Sequence, residues 1–329
     1  MKFADLADSA LESTIIPSFS RIGPLVRSRL EHWNPPVDHD LEGRVIVITG
    51  ATSGLGLVAA RAWLTAGATV EIVARNPTKA RITVERLRAE IPGAKVDVVI
   101  ADTGNYDQIR NSAATIRGRH DVIHALIHNA GALEADFATA PSGLERTVAS
   151  QVVGPFLLSS LLYESLCAAK PGRIVWVTSG GMYTEPLSVD LLSTVPSNYR
   201  GAIAYARAKR AQVTLVEMMS ERVESSNLVV NAMHPGWTLT PGVQRSLPTF
   251  RKVMGPLLRT PEQGADTLIW LVANDGEPVT NTGGLWLDRR ERTVHRRSTT
   301  RNSDTPEERV RLWQWVTNEA RSDFPPISP

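Results

Sequence analysis

Cysteine is almost missing: Cys167 is the only one in 329 residues. That excludes a disulfide framework and a cysteine-rich metal site, and no metal is expected. It fits a reducing compartment, so a cytoplasmic setting is expected. Nowhere does the chain hold the roughly 20 consecutive apolar residues of a membrane-spanning helix. Its start, Met1-Lys2-Phe3-Ala4-Asp5, lacks a basic leader followed by an apolar run, so a secretory signal is not expected. An excess of one charge is missing too. Lys and Arg number 36 against 34 Asp and Glu, a net of +2, too little for a field that gathers nucleic acid. No period recurs along the chain, which excludes a solenoid or propeller. Aromatic residues are 6% of the total, and none interleaves the one basic run, Arg289, Arg290, Arg292, His295, Arg296, Arg297 and Arg301. A stacking platform for single-stranded nucleic acid is therefore not expected there. The run reads as a solvated loop, with an anion contact as the alternative.

What is present is an alternation of two periodicities. Residues 1–40 come first, with Ile15, Ile16, Phe19, Ile22, Leu25, Val26 and Leu30 at roughly helical spacing among Arg21, Arg27 and Arg29, up to the break at Pro35-Pro36. A helical arm packed on the body is expected; an amphipathic helix in peripheral contact with a membrane is the alternative. From Arg44 onward, short β-rich runs alternate with helical stretches. The runs are Val45–Thr49, Thr69–Ala74, Val96–Ala101, Val122–His128, Arg173–Thr178, Leu228–Met233 and Gly284–Leu287. Continuous apolar strands separated by helices predict an α/β fold, a doubly wound parallel sheet of the Rossmann type, as a single domain over residues 41–288. Residues 289–329 then hold the basic loop and a C-terminal helix. Thr260-Pro261-Glu262-Gln263 and Thr305-Pro306-Glu307-Glu308 each set a cap residue before an N1 proline, which marks two helix starts. The second precedes Val310, Leu312, Trp313 and Val316, a face suited to docking on the body.

The first β-run enters a glycine loop: Gly50-Ala51-Thr52-Ser53-Gly54-Leu55-Gly56. Gly50 permits a tight turn, Gly54 lets a pyrophosphate approach, and Gly56 lets the following helix pack on the strand. Ser53 and Leu55 lie at the helix start, where unpaired N–H groups attract phosphate. After the second strand, Val73-Ala74-Arg75-Asn76 offers no carboxylate for a ribose diol, whereas Arg75 can pair with a 2′-phosphate. NADP(H) is therefore the preferred cofactor, with NAD(H) as the alternative.

Tyr205 and Lys209 stand four residues apart in Ala204-Tyr205-Ala206-Arg207-Ala208-Lys209, one helical turn on one face. A phenol, pKa ~10 in water, moves a proton near neutral pH only if its pKa is lowered, and a neighbouring ammonium does this by Coulomb attraction. Ser179 follows a strand at the sheet's carboxyl edge, where its hydroxyl can hold an oxygen that gains charge. Together these predict hydride chemistry on a carbonyl or alcohol.

With Thr49-Gly50-x-x-x-Gly54-x-Gly56, Asn129-Ala130-Gly131, Ser179, Tyr205-x-x-x-Lys209 and Pro235-Gly236 in order, the chain resembles the short-chain dehydrogenases/reductases. Thr178-Ser179-Gly180-Gly181-Met182, Lys209-Arg210-Ala211-Gln212-Val213, His234-Pro235-Gly236-Trp237, Thr240-Pro241-Gly242-Val243, Gln263-Gly264-Ala265-Asp266-Thr267 and Leu287-Asp288-Arg289 resemble its retinol-dehydrogenase-like branch. The resemblance implies that Tyr205 is the acid/base, that Lys209 also holds the nicotinamide ribose, and that Ser179 orients the substrate. It implies that Asp102 bonds the adenine, that Asn129, Ala130 and Gly131 line the cofactor, and that Pro235, Gly236 and Thr240 close on the carboxamide. Gln151 stands where the family has a catalytic asparagine, and His128 where an asparagine usually precedes Asn129. Pairing of two chains through the helices bearing Gln151 and Tyr205 is implied as well, and so is a lid.

The insertion with Leu187, Val189, Leu191, Leu192 and Val195, and the lid segment with Leu247, Phe250, Val253, Met254, Leu257 and Leu258, broken by Pro248 and Pro256, suit a lipophilic small-molecule substrate. The alternative is that they pack the body. The expected function is an NADP(H)-dependent oxidoreductase interconverting an alcohol and a carbonyl. The alternative is a cofactor-binding protein with little catalysis, a sensor or scaffold, suggested by Gln151.

Overall fold

Val45, Ile46, Val47, Ile48 and Thr49 are all β-branched, and this run forms β1 (Val45–Thr49) with its last four residues buried. The computed structural model of the chain describes residues 3–240, 252 and 254–326. The other strands are β2 (Thr69–Ala74), β3 (Lys95–Ile100), β4 (Ala125–His128), β5 (Gly172–Val177), β6 (Leu228–Met233), β7 (Leu285–Leu287) and β8 (Arg290–Arg292). They make one sheet in the order β3-β2-β1-β4-β5-β6-β7-β8, parallel throughout except for β8. The principal helices are α1 (Phe3–Glu12), α2 (Ile15–Phe19), α3 (Ile22–Leu30), α4 (Gly54–Thr65), α5 (Pro77–Glu90), α6 (Tyr106–Arg119), α7 (Gly154–Leu161), α8 (Gly201–Ser220), α9 (Pro261–Ala273) and α10 (Pro306–Ala320).

Helices cover both sheet faces, which is why β1, β5 and β6 are buried along nearly their whole length. On one face α4, α5 and α9 bury Trp63, Leu87 and Leu268 against the strands. On the other, α6, α7 and α8 bury Ile116, Phe156 and Leu215. The helix-start signals hold. Thr260 and Gln263 form a reciprocal capping box at 3.2 and 3.1 Å, and Thr305 caps α10 by accepting from the Glu308 N–H at 3.2 Å. The expected doubly wound parallel sheet is the architecture observed.

From Arg289 to Arg296 the basic run is not a solvated loop, whereas Arg297 and Arg301 are exposed as expected. Asp288 and Arg289, both at φ +54°, turn the chain from β7 into the antiparallel β8. Arg289 and Arg292 are buried. Their charges meet acids elsewhere: Arg289 forks onto Asp266 with two bonds of 2.8 Å, Arg290 reaches Glu31 at 2.7 Å, and Arg292 reaches Asp8 at 2.7 Å. The sequence pattern showed the arginines clustered but not the carboxylates of α1, of α9 and of Glu31 at the end of α3 that the fold brings to them.

The N-terminal residues form three short helices rather than one. Phe19 and Arg27 face inward, while Ile15, Ile16, Ile22 and Leu25 are exposed. In the insertion after Ser179, Leu187, Val189 and Leu192 belong to the core, and Leu191 and Val195 are exposed. These buried leucines follow the packing alternative. Of the expected lid, Leu247, Pro248, Phe250 and Val253 lie outside the described residues.

Candidate active site

β1 has β2 on one side and β4 on the other, so the chain order reverses there. A crevice opens at the carboxyl ends of such strands. At the end of β1 the chain turns through Gly50 at φ +72°, where a Cβ would lie 2.8 Å from the Ala130 Cα. A Cβ at Gly56 would lie 2.5 Å from the Asn129 amide nitrogen. Both positions thus need glycine for close approach. Asn129 donates its amide protons to the Thr49 and Gly50 carbonyls at 3.0 and 3.1 Å. Thr49 Oγ1 accepts from the Asn129 and Ala130 N–H groups at 3.1 and 3.0 Å. Thr49 opens the glycine motif in the sequence without a role of its own there, yet it holds the loop after β4 against the glycine turn. Ser53 is the N-cap residue of α4, but its hydroxyl makes no capping bond. The first-turn N–H groups of this 12-residue helix therefore lack a side-chain acceptor, and an anion can serve.

Arg75 follows β2 and is exposed; among the described residues its guanidinium has no ion pair or hydrogen bond. Asp102 follows β3 and accepts the Gly104 N–H at 2.9 Å. Gly54 and Leu55 open α4, and Gly131 is exposed beyond β4. Pro235 and Gly236 follow β6, with Gly236 at φ +66°, and Thr240 lies a turn further on. The residues that sequence reasoning proposed for a dinucleotide thus lie after the strand ends, in order along the crevice.

Ser179, Tyr205, Lys209 and Gln151 converge on the same side. The Ser179 hydroxyl accepts the Gly181 N–H at 3.3 Å and lies close enough to the Tyr205 phenol to oppose the rise of its pKa. The Lys209 Nζ lies 5.2 Å from the centre of the Tyr205 ring and donates to the Val177 carbonyl at 3.0 Å. One expectation is corrected here. Burial pushes the Tyr205 phenol up to about 12, with Ser179 opposing, and burial pulls the Lys209 amine down to about 7. Loss of hydration is the largest influence on both groups.

Gln151 sits in a π-helical turn, Ala149–Val153, just before α7. Such turns carry an extra residue and often lie at functional sites. Its amide donates to the Ala132 carbonyl at 2.7 Å, while its Oε1 is buried without a partner. A Cβ on Gly131 would come 2.9 Å from that oxygen and 3.5 Å from the Lys209 Nζ, so the two atoms face one small space. His128 takes no part in it. It is buried against Trp176 with centroids 4.8 Å apart, bonds Ser159 at 2.7 Å, and is held neutral by burial, which lowers it to about 3.

The family model described as short chain dehydrogenase matches residues 44–249. The chain is 31% identical over 276 residues to dehydrogenase/reductase SDR family member 12 of Homo sapiens, covering 83% of this chain and 86% of that protein. It is 34% identical over 251 residues, 76% of this chain and 85% of the other, to DnrU of Streptomyces sp. (strain C5), which carries the provisional name daunorubicin C-13 ketoreductase. L-sorbose reductase from Gluconobacter frateurii, solved with NADPH and L-sorbose, shares the fold at a TM-score of 0.62 and 20% identity, over 76% of this chain and 96% of that one. The protein belongs to the short-chain dehydrogenase/reductase family, whose members are oxidoreductases that use nicotinamide dinucleotides. Its own residues fit such a cofactor: the glycine turn has no room for a Cβ, and the amino end of α4 is uncapped by a side chain.

Proposed function

We propose that the protein is an NADP(H)-dependent reductase of lipophilic carbonyl compounds, with Tyr205 as proton donor, Lys209 as its electrostatic partner and Ser179 as the group that holds the substrate oxygen. The observation that carries this reading is the buried Lys209 Nζ 5.2 Å from the Tyr205 ring, with Ser179 acting on the same phenol. When bound, NADPH supplies a hydride to the carbonyl carbon. The chain's own part is the proton. Burial keeps Tyr205 protonated at neutral pH, the form that a donor needs. Ser179 can donate a second hydrogen bond to the same oxygen, and a protonated Lys209 stabilises the phenolate left behind.

The uncapped start of α4, with Ser53, Gly54 and Leu55, would hold the pyrophosphate, and the exposed Arg75 a 2′-phosphate. Asp102 would meet the adenine; Asn129, Ala130, Gly131, Pro235, Gly236 and Thr240 would line the remainder. Gln151 Oε1 and Lys209 Nζ face a common space in which a water can pass protons, so glutamine is proposed to serve in the asparagine's place. The name of DnrU favours a polycyclic ketone as one substrate class.

The test pairs binding with turnover. NADPH fluorescence should shift to the blue on mixing, with tighter binding than NADH, and the protein should oxidise NADPH with decanal or 1-tetralone. Tyr205→Phe should keep NADPH affinity and lose about 100-fold or more in kcat, the range of a lost general acid. Full turnover in Tyr205→Phe would defeat the assignment.

A further inference from the structure

Phe19, the last residue of α2, lies behind the residue next to Ser179. It is 3% exposed, and a Cβ on Gly180 would come 2.6 Å from its ring. The same ring meets the edges of His234 at 4.7 Å and Trp237 at 6.0 Å, the two residues flanking Pro235-Gly236. Its backbone holds the other side of that turn. The Phe19 carbonyl accepts the Trp237 N–H at 2.7 Å and Arg259 Nε at 2.9 Å. The Ser18 and Ser20 carbonyls also accept from Arg259, at 2.6 and 3.2 Å, and the Arg21 N–H donates to the Leu257 carbonyl at 2.9 Å. Arg259 itself presses on Gly236, where a Cβ would come 2.4 Å from its Nε. Trp237 and Arg259 are stitched together by a backbone bond of 2.8 Å. Asp288 locks the assembly from below, binding Arg259 at 2.6 Å and Arg27 of α3 at 2.5 Å.

We propose that Phe19 is a positioning residue of the hydride-transfer site. Its ring fixes Ser179-Gly180 in register with Tyr205, and its carbonyl fixes the Pro235-Gly236 turn, so α2 works as part of the site. The proposal rests on the reading that Ser179 and Tyr205 face the reacting oxygen. A phenyl ring against a glycine leaves the backbone no direction of retreat. Removing the ring opens a void into which Gly180 can move, and Ser179 moves with it. Hydrogen-bonded geometry at a reacting centre is intolerant of such shifts: a displacement of about 1 Å can cost 100-fold in rate.

The experiment uses the full-length protein, with NADPH and decanal or 1-tetralone as probes. Phe19→Leu, Phe19→Ala, Gly180→Ala and Phe19→Ala/Gly180→Ala are compared with Tyr205→Phe. Phe19→Ala should lower kcat roughly 30-fold and Phe19→Leu roughly threefold, with NADPH affinity held within about twofold, as expected for misplacement rather than lost binding. Gly180→Ala alone should also slow turnover, because its methyl collides with the ring. The double variant should be faster than either single one, because the methyl then fills the vacated space, and a general loss of stability would not produce that recovery. Where Phe19→Ala does not fold, Phe19→Leu decides. Unchanged kcat in the folded Phe19 variants, or a double variant no faster than the singles, overturns the proposal. So does a loss of NADPH affinity in proportion to turnover. If Tyr205→Phe is inactive while the Phe19 variants are normal, only the role of Phe19 falls; if Tyr205→Phe keeps turnover, the site assignment falls.

Discussion

Lys209 is buried with one carbonyl, that of Val177, as its hydrogen-bond acceptor, and its amine is pulled down to about 7 by lost hydration. An unfolded chain would bind that proton up to 10.5, the ordinary value. Below the folded value both states are protonated and the full cost of the buried charge is present. The cost fades as pH rises from about 7 to 10.5, because only the unfolded state still binds the proton there. Lys209→Met should therefore raise the melting temperature of the cofactor-free protein, most at pH 7 and below, and least near pH 10, while abolishing turnover. Thermal melts across that pH range check it, and a variant less stable than wild type at pH 6 would contradict it. The residues of the site were largely legible: Tyr205, Lys209, Ser179 and the glycines announce themselves by spacing. Their protonation was not, because it follows from burial, which no spacing encodes. Nor was the π-helical turn in which Gln151 sits, since an apolar run marks a helix without showing where its hydrogen bonds lengthen to i+5.

Among the elements, the β7–β8 hairpin is where sequence reading failed. A two-residue turn of this kind wants φ > 0 at both positions and normally signals itself with Asn-Gly or Asp-Gly. Here Asp288-Arg289 occupies it: aspartate tolerates the left-handed region, but nothing local favours Arg289 there. The compensation is electrostatic. Burial pushes the Asp288 carboxyl up, but Arg259 and Arg27 outweigh it and hold it below the usual range. A depressed carboxylate stabilises the fold above its unfolded value, and that contribution is lost as pH falls through the folded one. Asp288→Asn leaves two arginines buried with one fewer counter-charge and should cost about 3–5 kcal/mol at pH 7, a deficit that narrows in acid. Urea unfolding at several pH values measures it; a cost under about 1 kcal/mol, typical of an exposed pair, would show the network to be dispensable. The strands β1 to β7, by contrast, were legible to within a residue or so at most ends. β4 was the exception, starting at Ala125 rather than Val122.

For the molecule as a whole, α10 decides which surfaces remain for other chains. It buries Leu312, Val316 and Ala320, and Trp313 meets Phe156 of α7 edge-on at 5.4 Å. Arg222 stacks on the same Trp313 at 3.8 Å. α10 packs on both α7, which follows Gln151, and α8, which bears Tyr205, the two helices through which family resemblance implies pairing. The chain should sediment as a monomer. Leu312→Asp should free α10, expose that apolar surface and promote self-association, seen as faster sedimentation and increased light scattering. A wild-type dimer joined through α7 and α8 would refute this.

The contacts between the first helix and the last strand carry a further implication for biosynthesis. Asp5, Asp8 and Glu12 find their arginine partners at positions 290, 292 and 296, about 284 residues downstream. Contacts this remote in sequence bear the greatest chain-closure entropy and form late. A nascent polypeptide emerging from the ribosome can assemble β1 to β6, and give Phe19 its ring neighbour His234, while the acids of α1 still lack their arginine partners. Those charges are matched only after Arg296 has been made.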